Sequence, residues 1–151
     1  MATWALDCAE RVLYLFEKEL PDDNRPRTAI RVGREWVETG EFRMNTIRQA
    51  SLDSHASARD VHDTAAGYAA RAAGQAVAAA HVTQHAYGGA YYALKALVAA
   101  NPSNQEYAVT KELQLESSLL PEHLRSDVMN RFAITVQKGE VKVKLQKGPD
   151  F

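Results

Sequence analysis

Apolar residues recur every three or four positions through most of the chain and give way to strict alternation only near its C-terminal end, the period of helices followed by that of strands. Ala5, Cys8, Val12, Leu15 and Phe16 fall on one face of a first helix, predicted to start at Thr3 as N-cap, to reach about Glu19 and to close at Leu20-Pro21. Asp22 to Arg25 then form a polar turn. Pro26, with its fixed φ and no backbone N–H to satisfy, suits the first position of a second helix. That helix is predicted to bury Ala29, Ile30, Trp36 and Val37 and to stop at Gly40, where a left-handed residue meets no Cβ clash. A third helix from about Met44 carries Met44, Ile47, Ser51, His55, Ala58 and His62 on one side, a stripe more polar than an ordinary core face, as though something polar were held there.

Asp63 is predicted to cap the alanine-rich stretch from Thr64 to Ala100. As one straight helix that stretch would measure ~55 Å at 1.5 Å per residue, too long for so small a domain, so a break is expected, at Gly88-Gly89. Ala66, Ala70, Gly74 and Ala78 recur every four residues and form a row against which another helix can pack closely. Asn101-Pro102 ends the stretch, Ser103-x-x-Glu106 has the form of a capping box, and Pro121 opens a short helix reaching about Phe132. The segment ITVQKGEVKVKL alternates about Lys138-Gly139 as a β-hairpin does. A lone hairpin is marginal in water, so this one must dock on the helices, pair with another chain or stay loose. The expected fold is mostly α: a single-domain bundle of about five to six helices over residues 1–132, with a C-terminal extension, 133–151, carrying a small β-hairpin.

The 151 residues give one domain and one core. With 18 Lys and Arg against 19 Asp and Glu the net charge is −1, which gives no general field for nucleic acid. Arg71, Gln75, His81, Gln84, His85 and Lys95 interrupt the most apolar stretch, so no membrane span is expected. Cys8 is the one cysteine and excludes an internal disulfide. Together with an N-terminus that lacks the basic and apolar regions of a signal peptide, it points to the cytoplasm.

His81 and His85, four apart on one predicted helix face, could place two imidazoles on a metal ion, with His55 or His62 as a third ligand. Such three-histidine sites occur on bundles of the DinB type, whose paired histidines come later in the chain. Histidines hydrogen-bonded to carbonyls or carboxylates are the plainer reading. No Gly-x-Ser-x-Gly elbow, HExxH pair or phosphate-binding loop occurs, and Asp22-Asp23 reads as solvated turn capping. In Asp22-Asp23-Asn24-Arg25-Pro26-Arg27 an arginine fork can clamp a carboxylate. The first reading is an internal salt bridge to Asp23 or a neighbouring helix; the alternative is a recognition surface made by Asp23, Arg25, Arg27 and Trp36.

WALDCAERVLYLFE followed by PDDNRPRTAIRVGREW, and AAGYAARAAGQAVAAAHVTQHAYGGAYYALKA in mid-chain, resemble the Imm-5-like family of small helical bacterial proteins, with a fainter likeness through LESSLLPEHLRSDVMNRF. The likeness spans Trp4 to Phe132; Ser117-Ser118 stands where relatives tend to have Trp-Gln, and the tail has no counterpart. The family label implies neutralisation of a toxin by direct binding, a protein partner and no cofactor or catalysis, and small cargo of mobile elements is a compatible origin. Two other readings stand beside it: a metal-binding helical enzyme or sensor using the histidines, and a homodimer that binds a small ligand between its helices.

Overall fold

The computed structural model describes residues 1–148, so the last three residues of the expected extension lie outside the described residues. Its elements run α1 (Ala2–Val12), α2 (Tyr14–Glu19), α3 (Arg25–Thr39), α4 (Met44–Asp60), α5 (Ala65–Ala78), α6 (His85–Ala100), α7 (Gln105–Ser118), α8 (Glu122–Met129), β1 (Phe132–Gln137) and β2 (Glu140–Leu145). Leu13, between α1 and α2, keeps helical dihedrals (φ −60°, ψ −31°). The two therefore form one helix with a tightened turn, and the described residues hold seven helices in place of the expected five to six. The alanine-rich stretch makes two full helices, α5 and α6, which with the expected separate α7 and α8 brings the count to seven.

α5 lies at the centre and packs against α1, α2, α3, α4 and α6. Its composition follows from that position: Ala66, Ala69, Ala70, Ala72, Ala73 and Ala76 are all buried, because a helix enclosed on nearly every side needs small side chains to admit its neighbours. Ser51 and Ser54 of α4 donate to the carbonyls of Gly74 (2.9 Å) and Ala70 (2.8 Å). The polar stripe on the third helix thus clips α4 to α5; Met44 at its start and His62 at its end are exposed.

Several boundaries differ from expectation. The first helix starts at Ala2, because the Ala5 N–H already bonds the Met1 carbonyl (2.9 Å), so Thr3 is inside it and is no cap. Pro26 is the second residue of α3, after Arg25. Gly40 takes the left-handed conformation (φ 73°) and stops α3 as predicted. Val37 is exposed and Trp36 only half-buried, since residues 37–46 all face solvent; Val32 and Gly33 are buried instead. Thr64, not Asp63, caps α5 by accepting from the Gly67 N–H (3.1 Å).

The alanine-rich stretch breaks over residues 79–84, where tight turns replace the helical ladder, and Gly88-Gly89 stay helical. A Cβ on Gly89 would lie 3.4 Å from that of Ala5, so its small size serves the approach of α6 to α1. Ser103 and Glu106 form no capping box; Asn104 precedes α7 without a side-chain cap bond. Pro121 stands just before α8, which ends at Met129 because Phe132 opens β1.

The tail is the expected hairpin, with Gln137 opposite Glu140 and Phe132 opposite Leu145. Lys138 (φ 53°) and Gly139 (φ 83°) both take positive φ, as a two-residue type I′ turn requires. Of the three outcomes open to it, the hairpin docks: Phe132 and Val141 join the main buried cluster, the Phe132 ring meets Trp4 edge-on at 6.4 Å, and the Val141 N–H donates to Gln105 Oε1 (2.9 Å).

Candidate functional site

Four places concentrate polar chemistry. The first is the turn before α3. Arg25 donates to both carboxylate oxygens of Asp23 (2.9 Å from Nε, 2.7 Å from Nη2) and to Asp60 at the end of α4 (2.6 Å). These bonds hold the Asp23 carboxyl below its usual range. Arg27 pairs with Glu17 (2.7 Å), and Arg34 with Asp7 (2.6 Å) and Glu10 (2.8 Å). The arginines tie α3 to α1, α2 and α4. Trp36 borders a separate shallow cleft of about 200 Å³ with Arg31, Glu35 and Ile47. Because the Arg25 side chain is more than a third exposed and Asp60 more exposed still, Arg25→Ala is expected to cost only about 1 kcal/mol in urea titration, a loss that shrinks in high salt. A loss several-fold larger would mean that the clamp is structurally decisive.

The second place is a histidine corner. His81 lies in the turn after α5 and His85 begins α6, so they do not share a helix face, yet the turn brings their rings to 5.5 Å between centroids. His85 Nδ1 meets Gln75 Oε1 at 2.7 Å. Burial, then the charge of His81, lowers the affinity of His85 for a proton; burial followed by Arg71, Arg59 and His85 does the same to His55. His62 is exposed, in the turn before α5. Among the described residues no three His, Cys, Asp or Glu side chains converge to hold a metal.

The third place, under α1 and α7, was not anticipated. Arg11 pairs with Glu112, and Glu116 is fully buried, its carboxyl next to the weakly donating Cys8 thiol and with no N–H or hydroxyl donor on either oxygen. Burial drives the Glu116 carboxyl well above its ordinary range; repulsion from Glu112 adds to this and Arg11 opposes it. The buried Cys8 thiol beside it is pushed up chiefly by burial as well, which fits the packing role expected of it. Trp4 Nε1 donates to the Glu116 carbonyl (2.9 Å), pinning α1 to the same turn. The available signal was spacing: Val109, Glu112 and Glu116 share a helix face, and Val109 is apolar.

The fourth place is a furrow between α6 and the hairpin. A hollow of about 450 Å³ is lined by Tyr68, Tyr91, Lys95, Lys142 and Lys144, with Asp63 at its rim. A second of about 610 Å³ shares Tyr91 and Lys144 and adds Tyr92, Gln75 and His85. Tyr68 stacks on Tyr92 (6.3 Å), Tyr91 meets Tyr92 edge-on (5.2 Å), and the Lys95 ammonium sits 4.2 Å over the Tyr68 ring. Sequence reading passed over this furrow, because its two walls are some fifty residues apart in the chain.

No helix among the described residues is long and apolar enough to cross a membrane. The family model described as "Imm-5 like putative immunity protein" matches residues 1–123, which covers α1 to α7 and stops short of the hairpin. No curated protein and no solved structure matches the chain.

Proposed function

We propose that this chain, which belongs to the Imm-5-like family, is an immunity protein that binds a cognate bacterial toxin and blocks it by covering its working surface. The family match over residues 1–123 carries the reading. Such a role asks for shape and charge complementarity over ~800 Å² of each partner and for no catalysis or cofactor. A docked hairpin, a bundle clipped together internally by serine–carbonyl bonds and arginine pairs, and stacked tyrosines support this reading, since a scaffold ordered before association lowers the ordering cost of binding.

The test is co-expression with each toxin candidate encoded beside its gene. Growth is expected to be restored against one of them, and that toxin is expected to co-elute with the chain in gel filtration. Failure to protect against every candidate would overturn the reading.

A further inference from the structure

We propose that the furrow between α6 and β2 is the docking surface for a carboxylate-rich segment of a protein partner. Charge is divided unevenly along the chain. Residues 1–130 carry 13 Lys and Arg against 17 Asp and Glu, whereas residues 131–151 carry 5 against 2. Between Asp63 and Glu106 there is no acidic residue, so α5 and α6 bring Arg71 and Lys95 to this side with no carboxylate of their own. Among the described residues the acid that lines it is Asp63, 3.9 Å from Arg71 at the rim, with Glu140 at the turn of the hairpin beside Lys142.

The cations at the furrow differ from most of those on α3. Arg25, Arg27 and Arg34 are committed to carboxylates outside that helix, whereas Lys142 and Lys144 are exposed and have no ion-pair partner among the described residues. Each offers an unsatisfied charge at the edge of a hollow floored by tyrosine rings. Tyrosine lends contact area at small entropic cost and is enriched among the side chains that dominate interface energies, while the lysines add charge selectivity. Lys95 is held over Tyr68, which orients its ammonium along the furrow.

The two hollows share Tyr91 and Lys144 and both are bordered by β2 residues, a neighbouring pair that suits an extended segment better than a compact small molecule. The hairpin wall lies beyond the matched residues 1–123, a place where partner choice can be set without disturbing the matched helices. A nucleic acid fits less well, because its phosphate track would run from the furrow onto a body of net negative charge.

The full chain should be titrated, by fluorescence anisotropy at low salt, into a labelled dodecapeptide of repeating Glu-Phe-Glu-Gly, its Gln-Phe-Gln-Gly counterpart and an oligothymidylate of equal length. The acidic peptide is expected to bind at least about tenfold tighter than the amide one. The double variant Lys142→Glu/Lys144→Glu should erase that preference, Lys142→Gln/Lys144→Gln should weaken it, and Lys18→Glu on α2 should leave it unchanged. Tyr91→Ala should weaken both peptides together. Equal binding of the two peptides, or tighter binding of the oligothymidylate, overturns the proposal. The proposal rests on the immunity reading only in making the partner a toxin. Protection that survives Lys142→Glu/Lys144→Glu would remove the surface and keep that reading. Carboxylate-selective binding without protection from any toxin would do the reverse.

Discussion

Replacing Glu116 by methionine is expected to stabilise the protein by roughly 1–3 kcal/mol at mildly alkaline pH, a rise in melting temperature of about 3–10 °C for a chain of this size. The side chain is fully buried and neither oxygen has an N–H or hydroxyl donor, only the weak Cys8 thiol beside it, so its charged form has lost hydration and gained little in return. The fold therefore holds the carboxyl protonated well above the ordinary value of 4.5. Between that value and the raised folded one the native state keeps a proton that the unfolded chain has released, so stability falls as pH rises through this window. Below about pH 4.5 both states are protonated and the effect vanishes. Methionine has similar length, no charge and no need of partners. Glu116→Gln removes the same pH dependence but leaves a buried amide, so its gain is smaller. Urea titrations across the pH range decide the matter: a wild-type stability that does not fall from mildly acidic to alkaline pH, or a methionine variant weaker than wild type at alkaline pH, would show that the Glu116 charge is accommodated.

Gly67→Ala is expected to cost roughly 3 kcal/mol and about 6–12 °C in melting temperature. A Cβ at this position would stand 2.0 Å from the His62 carbonyl oxygen, a backbone atom in a turn that His62 already enters with φ 56°. Relief requires that the turn move, and with it the Thr64 cap and Asp63 at the rim of the furrow. Gly74→Ala is the control. Its Cβ would meet the His55 ring at 2.9 Å, a side chain that can rotate away, so the cost should be nearer 1 kcal/mol. Equal melting temperatures for the two variants would mean that the 61–64 turn yields easily.

Those two sites were unequally legible. Glycine at 67 falls inside an alanine-rich helix pattern and nothing local sets it apart; only the path of the chain out of α4 places a carbonyl against it. Glu116 lies on a face with Val109, but whether that face is covered depends on α1, more than a hundred residues earlier. The histidine pair shows a different kind of miss. His81 and His85 do come close, though through a turn and not along a helix, because the alanine-rich segment breaks before Gly88-Gly89. Alanine favours helix throughout that segment, so the position of the break is decided by how α5 and α6 pack on each other and on α1.

What the chain determines by itself is local. The αL stop at Gly40, the proline in the first turn of α3, the helix periods and the Lys138-Gly139 turn with its register all follow from φ preferences and side-chain spacing within a few residues. The family likeness belongs to the same level, since it is a pattern of residues. Tertiary structure decided which arginines are committed to internal pairs and which lysines remain open, how a carboxyl came to be buried with only a thiol beside it, and that the hairpin closes a tyrosine-lined furrow. Burial and charge compensation depend on residues distant in sequence, and no local pattern encodes which of them will meet.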